Sequence, residues 1–126
     1  MQNSPIIGVW ELNAPDAPFP WHMITFTPFG TVLQTNPPAG NRDESDSGGQ
    51  GVWRVKPDTK SVDAKFIEYK AHHVTGEFIG KGVVMLRLHV EGDSLSGTAE
   101  AFRYDTAGKL VAGPLVSPVT GIRVTL

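Results

Sequence analysis

The sequence has no cysteine, which excludes disulfide bonds, thiolate nucleophiles, iron–sulfur clusters and cysteine-ligated zinc. No stretch approaches 18 uninterrupted apolar residues, so no membrane-spanning helix is expected. Lysine and arginine number only 11 and are scattered, and with a formal net charge of -2 this argues against nucleic-acid binding. The N-terminus lacks a basic segment followed by an apolar run, so we expect a cytoplasmic protein unless a signal peptide has been removed.

Several catalytic motifs are missing as well. There is no phosphate loop, dinucleotide fingerprint, Gly-x-Ser-x-Gly elbow or His-Glu-x-x-His sequence. Phosphoryl transfer, hydride transfer and triad hydrolysis are therefore not expected, and we predict no cofactor and no metal. The acidic run Asp43–Asp46 lacks the ligand spacing of a calcium loop, and we interpret it as part of a solvated loop.

Short strands separated by turns account for most of the sequence. Fourteen glycines and ten prolines fall between short apolar or alternating runs, and no long window has a 3.6-residue apolar period. At most one helical turn is expected, near Ala14–Pro20. The predicted strands are Ile6–Leu12, His22–Thr27, Thr31–Thr35, Gly51–Lys56, Ser61–Lys70, Phe78–Val90, Leu95–Tyr104, Lys109–Val116 and Val119–Leu126.

These strands predict one all-β domain over residues 1–126. Consecutive hairpins without a crossover helix indicate antiparallel pairing. We expect a single closed up-and-down β-barrel of about eight strands, because closure removes both exposed sheet edges. A two-sheet β-sandwich is the alternative.

Gly8-Val9-Trp10 on the first strand and Arg123 on the last resemble the signature of the calycin group, which comprises the lipocalins and their small bacterial relatives. The resemblance implies that Trp10 plugs the closed end of the barrel and that Arg123 packs over its indole ring. Phe26–Val32 and Glu91–Gly97 are similar to the strand–turn–strand rhythm of that group. The chain is shorter than a typical lipocalin and lacks its disulfide, and Gly-x-Trp recurs as Gly51-Val52-Trp53.

Aromatic side chains supply candidate ligand-binding residues. We predict that Phe26, Trp53, Phe66, Tyr69 and Phe102 line a cavity, because aromatic walls suit apolar ligands. The alternative is that aromatic side chains fill the core, since an eight-stranded barrel is barely wide enough for its own side chains.

The candidate catalytic residues are His22, Glu100 and Tyr104. Alternation places His22 on the same strand face as Ile24 and Phe26, which would aim it inward near a barrel mouth. If Glu100 and Tyr104 also face the lumen, a buried carboxyl beside a phenol forms an acid–base pair. For Glu68 the sequence does not decide between the inward and the outward face of its strand. The adjacent His72 and His73 are interpreted as exposed loop residues.

Three functions are consistent with these features. The first is a barrel that binds a small hydrophobic molecule in a cavity gated by the long polar loop Asn36–Gln50. The second is a cofactor-free isomerase, cyclase, dehydratase or other lyase acting on an apolar biosynthetic intermediate inside the barrel, as the resemblance to small bacterial calycin-like barrels suggests. The third is an interaction module with a filled barrel, which would form a homodimer through a strand face.

Overall fold

The structure is a computed structural model that describes residues 2–37, 43–57 and 61–126. In these ranges it contains strands and turns but no helix, and residues 14–20 form turns where a helical turn was expected. No described segment is a helix long and apolar enough to cross a membrane. The strands are β1 (Gly8–Asn13), β2 (Trp21–Phe26), β3 (Thr31–Thr35), β4 (Glu44–Asp46), β5 (Gly49–Val55), β6 (Val62–His72), β7 (Phe78–Glu91), β8 (Ser94–Tyr104) and β9 (Leu110–Arg123).

Eight of these strands close into an antiparallel barrel, which confirms the predicted fold. The ring runs β1-β2-β3-β5-β6-β7-β8-β9 and returns to β1. Closure is made by β1 pairing with β9, where Trp10 lies opposite Arg123. The sandwich alternative is excluded because β6 and β7 also pair and leave one continuous ring.

Two details of the strand prediction differ from the structure. The segment predicted as two strands after Lys109 is one 14-residue strand, β9. The acidic run predicted as solvated loop contains β4, which lies outside the ring and pairs with the end of β6 at Lys70, Ala71 and His72. A register shift between β6 and β7 occurs near Gly80, where Lys70 pairs with Gly80 and Ala71 with Phe78.

The closed end of the barrel is sealed as the calycin resemblance implied. Trp10 is fully buried and donates its indole N–H to the carbonyl oxygen of Ile6 at 2.8 Å. The Arg123 guanidinium carbon lies 4.3 Å from the Trp10 ring centroid. Arg123 also donates to the carbonyl oxygens of Ile7, at 2.9 Å, and Pro5. A Cβ at Gly8 would lie 3.1 Å from Arg123 Nη1, so glycine leaves room for this contact.

The second Gly-x-Trp sequence contributes to the same end. Trp53 is buried, donates its indole N–H to the carbonyl oxygen of Thr27 at 2.8 Å, and packs edge-on against Phe26. Gly51 is needed because a Cβ there would lie 1.7 Å from the carbonyl oxygen of Lys65 on the neighbouring strand. The half of the lumen next to the closed end is therefore filled with side chains.

Candidate binding site at the open end of the barrel

A polar layer lies above this apolar plug on the inner wall. Gln34 pairs with Gly49, and Glu68 pairs with Gly82, which in turn pairs with Arg103. Because Gln50 pairs with Ile67, Glu68 lies across from Gly49. Side chains alternate along a strand, so Glu68 shares the inward face of the buried Phe66. Gln34, Glu68 and Arg103 thus form one layer, which we call the polar layer.

Glycines on both sides of Glu68 make space for this layer. A Cβ at Gly49 would lie 2.4 Å from Phe66 Cδ1 and 3.0 Å from Gln34 Oε1, and a Cβ at Gly82 would lie 3.2 Å from Lys70 Cε. The side chains of Gln34 and Lys70 therefore lie over backbone that carries no side chain of its own. Larger residues at positions 49 and 82 would displace them.

Gln34 connects the polar layer to His22. The Gln34 side chain is 2% exposed, and its Nε2 donates to His22 Nδ1 at 2.7 Å and to Asn36 Oδ1 at 2.9 Å. Burial lowers the pKa of His22, opposed by a backbone hydrogen bond with Phe19 and by the charge of Asp46. Only a neutral imidazole can accept a hydrogen bond from Gln34 at Nδ1, so the hydrogen bond and the pKa direction agree.

Ion pairs hold β4 against the open end. Lys70 Nζ lies 2.6 Å from Asp46 Oδ1 and 3.9 Å from Glu44 Oε2. Glu44 Oε1 also pairs with Arg103 Nη2 on β8. These contacts tie β4 to two strands that are not neighbours in the ring, so β4 is held over the polar layer from both sides.

Glu68 is the residue whose ionisation the site changes most. Burial raises the pKa of Glu68 to about 7, with a further rise from the negative charge of Asp46 and an opposing effect of Lys70. Its Oε2 is buried and has no hydrogen-bond partner, as is also true of Gln34 Oε1. The site thus contains a carboxyl that changes charge near neutral pH and two buried oxygens able to accept hydrogen bonds.

A surface cleft lies on the outer wall of the barrel near this site, because Glu11, Met23 and Thr35 form one row that faces away from the lumen. It has a volume of about 280 Å³ and is lined by residues of β1 to β3 and the segment after β3, namely Glu11, Trp21, His22, Met23, Thr35, Asn36 and Pro37. His22 and Asn36 connect this cleft to the polar layer through their hydrogen bonds with Gln34.

The structure separates the predicted ligand-binding aromatics into two groups. Phe26, Trp53 and Phe66 are buried in the interior. Tyr69 lies on the opposite face of β6 from Phe66, and Phe102 lies on the opposite face of β8 from the buried Ala99. The last two therefore point away from the lumen, and a ligand-binding role for the first three stays a prediction.

The predicted catalytic residues do not come together. His22 points inward with Ile24 and Phe26, as expected. Glu100 and Tyr104 lie on the outer face of β8, opposite Met85 and Lys81 of β7. The inward carboxyl is Glu68 instead, so an acid–base pair of Glu100 with Tyr104 in the lumen is not what this geometry provides.

Sequence reasoning missed Gln34, Lys70, Arg103 and the role of β4 in this site. The pattern Val62, Ala64, Phe66, Glu68, Lys70 carries the inward face of β6 in alternate positions. This inward face could not be recognised from the sequence, because Ile67 and Tyr69, on the other face, are also apolar. Arg103 continues the inward series of Ala99 and Ala101, which ends in a charged residue only at the barrel mouth.

No group of three or more histidine, aspartate or glutamate side chains able to hold a metal ion occurs in the described ranges. His72 ends β6, and its ring stacks on that of His73 with centroids 5.7 Å apart.

Comparisons with protein-family models, with curated proteins and with solved structures returned no match to the chain.

Proposed function

We propose that the protein is a calycin-like barrel that binds a small, largely apolar molecule at its open end. The molecule's polar group would lie between Gln34 and Glu68. The observation that carries the proposal is the pair of buried, unpartnered oxygens, Gln34 Oε1 and Glu68 Oε2, in one layer of the inner wall. A buried acceptor without a donor costs about 1–3 kcal/mol, which a donor on a bound molecule would recover.

The expected ligand is an apolar body with one O–H or N–H group. Both unpartnered atoms are oxygens, and Gln34 Oε1 can only accept. The Phe66 ring, which lies over Gly49 beside Gln34 Oε1, supplies an apolar contact. Polar groups that fix orientation within mostly apolar walls are typical of small-molecule sites.

The strand β4 is the proposed gate. It belongs to the long segment predicted to cover the barrel mouth, of which residues 38–42 lie outside the described residues. Its ion pairs with Lys70 and Arg103 hold it across the polar layer. Entry of a ligand would require these pairs to separate.

Two matched small molecules test the binding proposal. We expect 2-naphthol to bind about tenfold more tightly than 2-methoxynaphthalene in calorimetric titrations, because the latter has the same apolar body without the donor. Gln34→Leu should remove this preference. Gln50→Leu, an exposed position on the neighbouring strand, should keep it. Equal affinities in the unmodified protein, or no binding of either compound, would refute the proposal.

A second function, cofactor-free acid–base catalysis, is favoured by Glu68 alone. A carboxyl with a pKa of about 7 exchanges its proton readily at neutral pH, as general acids and bases require. An isomerase, cyclase or lyase would then use Glu68 on the bound molecule. Turnover that disappears in Glu68→Gln while binding is retained would distinguish this enzyme from a carrier.

A further inference from the structure

The outer surface of the barrel is unusually apolar where β6, β7 and β8 run beside each other. In one row Ile67 pairs with Val83, which pairs with Phe102. Val83 is 7% exposed although it alternates with inward-facing residues, so its outer-face neighbours already cover it. A solvent-facing side of an antiparallel sheet is normally polar. This row departs from that rule.

The neighbouring rows enlarge the patch. Tyr69, Met85 and Val116 are 57%, 40% and 59% exposed and flank the central row on β6, β7 and β9. We call Ile67, Tyr69, Val83, Met85, Phe102 and Val116 the apolar outer face. With Leu110 and Phe78 at its margins it exposes on the order of 500 Å² of apolar side chain, near the upper limit of what monomers show.

We propose that the apolar outer face is the interface between two copies of this chain. Stable interfaces bury at least about 600 Å² on each partner, so the polar residues around the apolar outer face must be covered as well. The chain from Leu110 to Val119 carries no charged residue, so two copies can approach along β9 without like-charge repulsion. Pro114 and Pro118 on this strand lack the amide proton that strand addition needs, which favours contact through side chains.

The charges beside Met85 make this face complementary to itself. Lys65, Met85 and Glu100 form one row across β6, β7 and β8. If two copies pack face to face about a two-fold axis parallel to β7, then β6 of one copy lies over β8 of the other. Lys65 then meets Glu100 of the second copy twice, as an isologous interface requires. An unrelated partner would have no reason to match this pattern.

Lys81 is compatible with the same arrangement. Lys81 lies on β7 near the axis, as does Arg87, and two like charges there would repel. Arg87 pairs across the strands with Asp63 of β6, which places an opposite charge beside it. The Lys81 ammonium is placed over the Tyr104 ring, 5.4 Å from the centroid, which draws it sideways toward β8. The outward position of Glu100 and Tyr104, which leaves them out of the lumen, gives both residues a place in this interface.

The oligomeric state of the full chain tests the proposal. Sedimentation equilibrium between about 1 and 200 µM should show a reversible dimer. Met85→Glu should weaken the dimer at least about 30-fold, since it brings two carboxylates together at the axis. Leu33→Glu, on the outer face of β3 and, like Met85, 40% exposed, is the control and should leave the dimer unchanged.

Charge reversal separates this interface from general stickiness. Lys65→Glu and Glu100→Lys should each weaken the dimer about tenfold, and the double variant Lys65→Glu with Glu100→Lys should recover to within about threefold of the unmodified protein. The double variant also shows whether the single variants had merely failed to fold. A monomer at 200 µM, or a dimer that Met85→Glu leaves intact, would overturn the proposal. Single variants that the double variant does not rescue would overturn the two-fold arrangement.

Discussion

Replacing Glu68 by Gln should make the protein more stable at neutral pH and remove a specific pH dependence. The folded-state pKa of Glu68 is about 7, above its ordinary value of 4.5. Between these two values the unfolded chain has released the proton and the folded chain still holds it. The free energy of unfolding must therefore fall as pH rises through this window, and the loss is complete above pH 7.

The size of the effect follows from the same two pKa values. Moving a carboxyl pKa from 4.5 to about 7 corresponds to about 3 kcal/mol. The Glu68 carboxyl is partly reached by solvent, so we expect about 2 kcal/mol to be measurable. Glutamine has the same shape and never ionises. The stability difference between Glu68→Gln and the unmodified protein should thus be near zero at pH 4.5 and about 2 kcal/mol at pH 8.

Equilibrium urea unfolding at constant ionic strength measures this directly, with tryptophan fluorescence as the probe. Titrations at half-unit steps from pH 4.5 to 8.5 give the difference curve, and Glu77→Gln in an exposed turn is the matched control for losing one carboxylate. A difference that stays flat across this range would show that Glu68 is not held in an environment that disfavours its charge. The assignment of Glu68 to the buried polar layer would then be wrong.

Two further predictions concern the closed end and the strand faces. Arg123→Met should lower the free energy of unfolding by about 2–3 kcal/mol, because the carbonyl oxygens of Ile7 and Pro5 lose their donor. Arg54→Met, on the exposed face of β5, should change the free energy of unfolding by less than about 0.5 kcal/mol. In denaturant unfolding of dilute protein, Phe66→Ala should lower the free energy of unfolding by about 3–5 kcal/mol and Tyr69→Ala by less than about 1 kcal/mol. Similar losses for the two variants would contradict their placement on opposite faces.

The fold could be predicted because its signals are local. Glycine and proline turns divide the chain into strands of the right length, and Trp10 with Arg123 identifies the strands that close the ring. The errors came where tertiary contacts override local chemistry. Two strands were predicted on either side of Ser117-Pro118, yet β9 continues through both residues. Glu44 and Asp46 read as solvated charges, but Arg103 and Lys70, distant in sequence, pair with them.

The site could not be predicted because β6 and β8 carry apolar residues on both faces. Alternation identifies a lumen face only when the other face is polar. In Phe66-Ile67-Glu68-Tyr69 one possible inward face carries Phe66 and Glu68, and the other carries Ile67 and Tyr69, so each contains an aromatic side chain. Phe102 makes the inward face of β8 equally ambiguous. The same property that hid Glu68 is the one that an interface between two copies explains, since a strand that packs on both sides has no reason to keep one side polar. If the protein is a monomer, the apolar outer face loses this explanation while the lumen assignment of Glu68, which rests on register and burial, stands unchanged.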